Sequence, residues 1–240
     1  NCLDELIEFN PKHLVKKNSL TTYVEMANLS ENSMAIDFQE GAIDFGDLED
    51  DPLLELSKWY ELAKASEDML AEAMSLATVS AEGVPTVRTV LMRGFDERGI
   101  EFFTSYDSPK AADIGVNPCV SLSFHWKHIY RQLRIEGTAT RVSKEVSKAY
   151  WDTRPHGSRL AAIVSTQSAA VDTWEEMAEQ MGELEKQYPD GSDVPLPDSW
   201  GGFCIKPNRY EFWLARPSRL HDRFQYNPVE RGWRITRLQP

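Results

Sequence analysis

The order of apolar and polar positions predicts a run of short strands through the middle of the chain. Apolar and polar side chains alternate between residues 74 and 142, and turn-forming residues interrupt the alternation. Ala81-Glu82-Gly83 marks a hairpin turn between the first two strands. Short connections of this kind favour an antiparallel barrel over a βαβ sheet. The predicted strands cover residues 74–79, 85–95, 99–105, 118–126 and 130–142.

Capping residues and helical spacing predict helices on both sides of these strands. A polar N-cap residue precedes each segment, and proline stands at N1 in two of them. Thr173 and Glu176 form a capping box. The predicted helices follow Asp51, Ser108, Ser143 and Thr173, and residues 158–164 form a further helical segment.

Strands are expected again at the end of the chain, over residues 201–206, 210–214 and 233–238, with a further candidate at 222–226. The whole pattern predicts a mainly β, α+β protein, an antiparallel barrel of six to eight strands with a helical insertion. We expect one domain over residues 51–240. The residues before it have little periodicity and predict an N-terminal arm, which is either flexible or of different origin.

Two arginines flank a histidine near the end of the chain. If this stretch is a strand, Arg219, His221 and Arg223 share one face because side chains alternate along a strand. Two guanidiniums beside an imidazole repel one another in an apolar core, so this face needs either water or an anion. The alternatives are a solvated strand edge and a site for a phosphate or carboxylate.

Charge narrows the choice of ligand. The net charge is −12, which disfavours nucleic acid and anionic membranes as partners. Residues 207–240 nevertheless contain seven arginines against three acidic residues. Further arginines lie on predicted strands near neutral hydrogen-bonding side chains. A local cationic region on an acidic protein suits a small anionic ligand better than a polymer.

Several kinds of chemistry find no support in the sequence. It contains no GxGxxG, no GxxxxGK[ST] and no GxSxG motif. His125 and His128 are an odd number of residues apart, which places them on opposite faces of a strand and argues against a metal pair. Three widely spaced cysteines and the lack of a bilayer-length apolar run predict a reduced, cytoplasmic protein.

A set of residue blocks, in order and at consistent spacing, resembles the pyridoxine (pyridoxamine) 5′-phosphate oxidase family. The resemblance covers residues from about 51 to 240. The blocks include RTVLMRGF from Arg88, RQLRIEG from Arg131, STQS from Ser165, WGG from Trp200, EFW from Glu211 and RLHDR from Arg219.

The resemblance implies an FMN-binding split barrel and a homodimer with one FMN at each of two sites across the subunit interface. It implies oxidation of pyridoxine 5′-phosphate or pyridoxamine 5′-phosphate to pyridoxal 5′-phosphate, with dioxygen as acceptor, hydrogen peroxide as product and ammonia released from the amine. Arg219 and His221 would be the catalytic residues beside the substrate ring. The implied FMN contacts are Arg88, Thr89, Val90, Leu91, Phe103, Thr104, Lys110, Gln132, Gln167, Ser168, Trp213 and Arg223. The implied substrate contacts are Arg93, Tyr150, Arg154 and Ser158, together with Arg219 and His221.

The chain departs from the family pattern at three places. Arg93 stands where lysine is usual, which keeps the charge but replaces a point donor by a planar fork. Pro109 replaces a phosphate-contacting arginine, and Leu214-Ala215 replaces a Gln-Gly pair. Two alternatives to the oxidase therefore stay open: a split-barrel flavin enzyme with another substrate, such as the phenazine-pathway oxidases or deazaflavin reductases, and a non-catalytic protein that binds flavin or pyridoxal phosphate.

Overall fold

The computed structural model describes residues 42–66 and 70–240, which contain nine strands and five α-helices. None of these helices is long and apolar enough to cross a bilayer. The strands are β1 (Ala73–Val79), β2 (Pro85–Leu91), β3 (Gly94–Asp96), β4 (Gly99–Ser105), β5 (Cys119–Trp126), β6 (Arg131–Arg141), β7 (Trp200–Leu214), β8 (Asp222–Pro228) and β9 (Trp233–Arg237). The helices are α1 (Pro52–Ala65), α2 (Pro109–Val116), α3 (Lys144–Thr153), α4 (His156–Val164) and α5 (Trp174–Gln187).

The strands form one antiparallel sheet in the order β2-β1-β5-β6-β7-β4-β3, while β8 pairs with β7 and β9 pairs with β8. The 15-residue strand β7 is the centre of this arrangement. Its first half pairs with β4 and its second half with β8, while β6 lies along its other edge. The sheet therefore branches at β7. This curled antiparallel sheet with accompanying helices confirms the predicted α+β split-barrel class, with nine strands in place of six to eight.

The prediction of one strand over residues 85–95 is wrong, because the chain changes its sheet partner at Met92. Strand β2 pairs with β1, whereas β3 pairs with β4. At the change, the N–H of Met92 donates to the carbonyl of Glu72 over 2.9 Å, and the N–H of Arg93 donates to that of Glu101 over 2.8 Å. Arg93 therefore lies in the short connection between β2 and β3 and belongs to neither strand.

The predicted break at residues 207–209 is also wrong, because β7 continues through Pro207. The pairing with β6 shifts here: Glu136 pairs with Arg209 and Gly137 with Pro207, so Asn208 is an extra residue that forms a bulge in β7. A proline cannot donate to a sheet ladder, and a bulge is one place where a strand tolerates it. A Cβ on Gly137 would lie 2.6 Å from the carbonyl oxygen of Lys206, so glycine is required for β6 and β7 to approach this closely.

Two apolar clusters hold the fold together. In the larger one, α1 packs its buried face on the sheet, where Trp59 meets Phe212 edge to face at 5.0 Å. A smaller cluster joins the helices to the start of β7, and its buried members are Trp151, Leu160, Val194 and Trp200. The second cluster positions α3 and α4 over the sheet, where the cavity described below is formed.

Residues 42–50 contact the C-terminal strands. The N–H of Ile43 donates to Oδ2 of Asp222 over 3.2 Å, and Nη2 of Arg237 donates to the carbonyl of Ile43 over 2.9 Å. The rest of the predicted N-terminal arm, residues 1–41, lies outside the described residues.

Candidate active site

A cavity of about 410 Å³ lies where β2 and β4 meet α3 and α4. The described residues that line it include no Asp or Glu. Sequence reasoning named most of the lining. The predicted site residues found here are Thr89, Val90, Leu91, Arg93, Phe103, Thr104, Lys110, Tyr150, Arg154, Ser158 and Gln167.

The helix α2 brings Lys110 into this cavity. Proline at N1 starts the helix at Pro109, and Lys110 follows on its buried face. Ser108 is the N-cap residue, as predicted, but its hydroxyl does not cap the helix. It donates instead to the carbonyl oxygen of Ser105 over 2.7 Å, which ties the start of the helix to the end of β4.

Lys110 belongs to a hydrogen-bonded group with Thr104 and Gln167, which we call the lysine cluster. Nζ of Lys110 donates to Oγ1 of Thr104 over 3.0 Å and to Oε1 of Gln167 over 2.8 Å. The side chain is only 6% exposed, and no carboxylate of the described residues pairs with it. Burial, with a smaller effect of Arg88, lowers the pKa of Lys110 from 10.5 to about 8. A buried ammonium with only neutral acceptors is suited to an anionic ligand.

A second cationic group surrounds Tyr150, and we call Arg93, Tyr150, Arg154 and Ser158 the arginine cluster. Nη1 of Arg154 is buried and has no hydrogen-bond acceptor among the described residues. Burial is the main cause of the lowered pKa of Arg154, and the nearby Arg93 contributes to it. Arg93 lies 6.0 Å from the ring centroid of Tyr150 and 3.9 Å from the carboxylate of Glu72. The free donor of Arg154 needs an acceptor, which a phosphate oxygen provides.

A stacked pair of aromatic rings lies beside the arginine cluster in the same cavity. Phe103 stacks on Tyr150 with centroids 4.1 Å apart and planes 22° apart. Phe103 was predicted to contact FMN and Tyr150 to contact the substrate. The structure thus places one residue of each predicted set in direct contact.

Five predicted FMN contacts do not line the cavity, and Arg88 and Ser168 are the two that lie next to lining residues in the chain. The guanidinium of Arg88 lies against β1, where Nη1 donates to Oγ1 of Thr78 over 2.7 Å and to the carbonyl of Leu76 over 3.1 Å. Burial lowers the pKa of Arg88, while Asp113 opposes this effect. Ser168 follows the lining residue Gln167 and has a left-handed backbone with φ of 71°.

The remaining predicted residues form a separate C-terminal group on β6, β7 and β8 and in the turn before β8. Gln132 pairs with Trp213 across β6 and β7, and Trp213 pairs with Arg223 across β7 and β8. Arg223 donates from Nε and Nη2 to Oε1 of Glu211, over 2.9 and 2.7 Å. Glu211 also accepts from Nη1 of Arg134 over 3.0 Å. None of the described residues in this group lines the 410 Å³ cavity of the same chain.

The candidate strand at residues 222–226 is confirmed by β8, whereas the alternative that a strand already includes Arg219 and His221 does not hold. Residues Pro217–Arg219 form a 3-10 turn, and the strand begins only at Asp222. Ser218 and Arg219 have φ of 59° and 60°, a left-handed conformation that breaks the alternation on which that alternative relied. Such backbone conformations in non-glycine residues cost about 1 kcal/mol or more each and concentrate at functional sites.

His221 is held beside Trp213, with ring centroids 4.5 Å apart. Its Nδ1 accepts a hydrogen bond from the backbone N–H of Arg216 over 3.1 Å. Burial lowers the pKa of His221, and the positive charges of Arg219 and Arg223 lower it further. The imidazole is therefore neutral at pH 7, with its proton on Nε2.

Five lining residues were not among the predicted contacts. Their identities could in part have been read from the sequence: strand alternation places Ser105 on the same face as Phe103, and the WGG block contains Trp200. The small residues of α4 had no sequence signal of their own. The five are Ser105, Ala161, Ala162, Ser165 and Trp200.

Solved structures share this architecture. PhzG from Burkholderia lata, solved in complex with tetrahydrophenazine-1-carboxylic acid, superposes with a TM-score of 0.78 at 25% identity and covers 84% of this chain and 98% of its own. A pyridoxamine 5′-phosphate oxidase-related, FMN binding protein from Nostoc punctiforme has a TM-score of 0.62 at 20% identity and covers 76% of this chain and 96% of its own. These similarities support the split-barrel fold.

Curated relatives are closer in sequence. The pyridoxine/pyridoxamine 5′-phosphate oxidase of Crocosphaera subtropica is 46% identical over 197 residues, which cover 81% of this chain and 92% of the relative. The enzyme of the same name from Rubrobacter xylanophilus is 46% identical over 190 residues, which cover 79% of this chain and 87% of the relative.

Family models match most of the domain. Residues 63–192 match the model described as pyridoxamine 5′-phosphate oxidase. Residues 200–240 match the model described as the pyridoxine 5′-phosphate oxidase C-terminal dimerisation region. The resemblance inferred from the residue blocks is thereby confirmed, and the chain belongs to the pyridoxine/pyridoxamine 5′-phosphate oxidase family.

Proposed function

We propose that this chain is an FMN-dependent oxidase that converts pyridoxine 5′-phosphate or pyridoxamine 5′-phosphate to pyridoxal 5′-phosphate, in vitamin B6 biosynthesis or salvage. Dioxygen is the acceptor and hydrogen peroxide the second product, and the amine also releases ammonia. One observation carries the proposal: a single cavity contains two cationic clusters and no carboxylate among the described residues of its lining. Two clusters match two phosphorylated ligands, one the cofactor and the other the substrate.

The lysine cluster fits the phosphate of FMN. Nζ of Lys110 is buried among neutral oxygen atoms, so a phosphate would provide the negative charge that the described neighbours do not. We assign the remaining FMN contacts within this cavity to Thr89, Val90, Leu91 and Phe103. Bound to these residues, FMN would supply an acceptor for the hydride removed from C4′ of the substrate, with dioxygen as the final electron acceptor.

The arginine cluster fits the phosphate of the substrate. Arg154 has a buried donor with no described acceptor, and Tyr150 and Ser158 provide hydroxyl groups in the same lining. Arg93 adds a planar guanidinium, which can bind two phosphate oxygens where lysine binds one. Anchoring the phosphate in this way fixes the orientation of the pyridine ring, which reduces the entropic part of the barrier.

The C-terminal group completes the site in a homodimer. We assign Gln132, Trp213 and Arg223 of one protomer to the FMN bound by the other, and Arg219 and His221 to the substrate ring. Two observations support this assignment: these residues lie outside the cavity of their own chain, and residues 200–240 match a dimerisation region. We also assign Ser168 and Arg88 to FMN binding. Ser168 follows Gln167 in the chain and Arg88 precedes Thr89, so the backbone of each lies next to a residue of the cavity lining.

Within this site Arg219 and His221 act by orientation and electrostatics. Neutral His221 presents Nε2–H as a hydrogen-bond donor, because its Nδ1 is already an acceptor for Arg216. Arg219 adds a permanent positive charge that stabilises negative charge on the substrate ring.

We further propose an oxidase domain over residues 51–240 preceded by an N-terminal arm, and a cytoplasmic location. The free thiols of Cys119 and Cys204 support a reducing compartment.

Turnover by the purified chain tests the function. We expect the protein to bind FMN and, when given pyridoxine 5′-phosphate in air, to form pyridoxal 5′-phosphate and hydrogen peroxide in equal amounts. Pyridoxine without its phosphate is the control and should react at least about a hundredfold less efficiently, because the arginine cluster then has no anion. Bound FMN without turnover would instead support another split-barrel enzyme or a non-catalytic binding protein.

A further inference from the structure

The indole of Trp200 touches both halves of the proposed site. It is 7% exposed, lines the 410 Å³ cavity and also lines a smaller pocket on its other side. Its ring lies nearly parallel to that of Phe103, at 5.7 Å and 16°, and to that of Tyr150, at 6.2 Å and 8°. The guanidinium carbon of Arg154 lies 4.7 Å from the indole centroid. One side chain therefore contacts an assigned FMN residue and two assigned substrate-phosphate residues.

The two glycines after Trp200 make this arrangement possible. A Cβ on Gly201 would lie 2.3 Å from Oη of Tyr106, and a Cβ on Gly202 would lie 2.7 Å from Cε1 of Phe103. A Cβ atom is not tolerated this close to another heavy atom, so only glycine fits where these rings cover the strand. The WGG sequence thus combines a stacking ring with two positions of close approach.

Arg154 depends on the indole for its orientation. Its Nη1 is buried without a described acceptor, so the described contacts of the guanidinium are with the aromatic faces of Trp200 and Trp151, the latter at 5.2 Å. A cation over an indole gains electrostatic attraction when it is desolvated. Trp151 is itself fixed by a hydrogen bond from Nε1 to the carbonyl of Val194 over 2.8 Å.

We propose that Trp200 is a positioning residue for this reaction: it holds Arg154 and Tyr150 at a fixed place relative to Phe103, and so aligns the substrate-phosphate subsite with the flavin subsite. This inference rests on the proposed function. Trp200 offers no charge to the substrate and acts through its neighbours.

Kinetics of the FMN-loaded full chain test the inference. Trp200→Leu removes the stack and the cation-binding face, so we expect KM for pyridoxine 5′-phosphate to rise at least about tenfold, or about 1.4 kcal/mol, with a smaller fall in kcat. Trp200→Phe keeps one aromatic ring and should restore KM to within about threefold of wild type. The matched control is Trp233→Leu, since Trp233 packs on Tyr210 at 5.3 Å and does not line the cavity. We expect that control to leave KM within about twofold.

A double-mutant cycle separates positioning from a general structural role. If Trp200 acts through Arg154, the Trp200→Leu effect on KM should shrink below about threefold in an Arg154→Ala background, which removes the cation that the indole faces. The proposal would be overturned if the free-energy effects of the two substitutions on KM were additive. It would also be overturned if the KM of Trp200→Leu lay within threefold of the wild-type value. Should Trp200→Leu fail to fold, Trp200→Met, which also removes the aromatic face but fills more of its volume, takes its place in the same cycle. If the wild-type chain forms no pyridoxal 5′-phosphate, the proposed function itself is refuted. If the wild type turns over and the Trp200 variants behave like it, the role of Trp200 is refuted and the proposed function stands.

Discussion

The backbone N–H of Arg216 donates a hydrogen bond to Nδ1 of His221 over 3.1 Å. A ring nitrogen that accepts a hydrogen bond carries no proton, so the proton of neutral His221 lies on Nε2. The pKa of His221 is lowered from 6.5, first by burial and then by Arg219 and Arg223. At pH 7 the side chain is therefore an uncharged donor with a fixed orientation.

Substitution of His221 should reduce catalysis in proportion to the loss of this donor. We expect His221→Ala to lower kcat/KM at least about tenfold, and His221→Gln, which keeps an N–H donor, to lower it less. Because the pKa of folded His221 lies below 6.5, the acid limb of the wild-type kcat/KM profile should have an apparent pKa below 6.5, where the ring gains its second proton. A pH profile between 5 and 8 measures this. An acid limb with an apparent pKa above 6.5 would contradict the neutral assignment.

Loss of the Arg219 charge should weaken transition-state stabilisation. We expect Arg219→Ala to lower kcat/KM about tenfold while the Kd for FMN stays unchanged, because Arg219 is assigned to the substrate. Steady-state kinetics and flavin fluorescence titration measure the two quantities. Arg231→Ala, at an exposed arginine of the same C-terminal region, is the matched control and should behave as wild type. A kcat/KM within about threefold of wild type in Arg219→Ala would refute the assigned role.

FMN affinity should depend on the protonation of Lys110. The pKa of this buried amine is about 8 without ligand, and a phosphate favours the charged form, so binding above pH 8 must take up a proton. We expect the Kd for FMN to increase between pH 7 and pH 9, by about tenfold at most for one proton. Fluorescence quenching of FMN measures it. Lys110→Arg stays charged over this range and should show a flatter profile; an equally flat wild-type profile would contradict the assignment.

The same pKa has a consequence for stability. Below pH 8 Lys110 is protonated in both the folded and the unfolded chain, and its burial opposes folding. Between pH 8 and 10.5 the folded form is neutral while the unfolded form still binds a proton, so this group makes the FMN-free protein more stable as pH rises through that window. The measurement is the urea denaturation midpoint of the FMN-free wild type and of Lys110→Met, each at pH 7 and at pH 9.5. The increase in midpoint from pH 7 to pH 9.5 should be smaller in Lys110→Met than in the wild type.

Arg154 should be sensitive even to replacement by lysine. We expect Arg154→Lys to raise KM for pyridoxine 5′-phosphate about tenfold with a smaller change in kcat, because lysine keeps the charge and loses the planar fork. The control is Arg98→Lys, since the exposed guanidinium of Arg98 bonds Asp96 at the surface, over 2.6 and 2.9 Å. Equal KM values for Arg154→Lys and the wild type would remove Arg154 from the phosphate subsite.

Much of the fold could be predicted because its signals are local. The N-cap at Asp51 with Pro52 after it, and the cap at Ser143, each start a helix where the sequence placed it. Strand alternation located β4 at residues 99–105. The errors came where the local pattern does not show which strand the chain pairs with. The chain changes its partner strand at Met92, and β7 continues through Pro207 because a bulge at Asn208 accommodates the proline.

The sequence by itself determined the fold class, the family and the identity of the cationic residues, because these follow from residue types in order along the chain. The tertiary structure alone decided how those residues divide. It placed Lys110 and Arg154 in one cavity, turned the guanidinium of Arg88 toward β1 and gave Arg219 a left-handed backbone. It also showed that Trp200 lies against both Phe103 and Arg154. The physical reason is that side-chain direction and burial depend on partners distant in sequence, which alternation and capping do not encode.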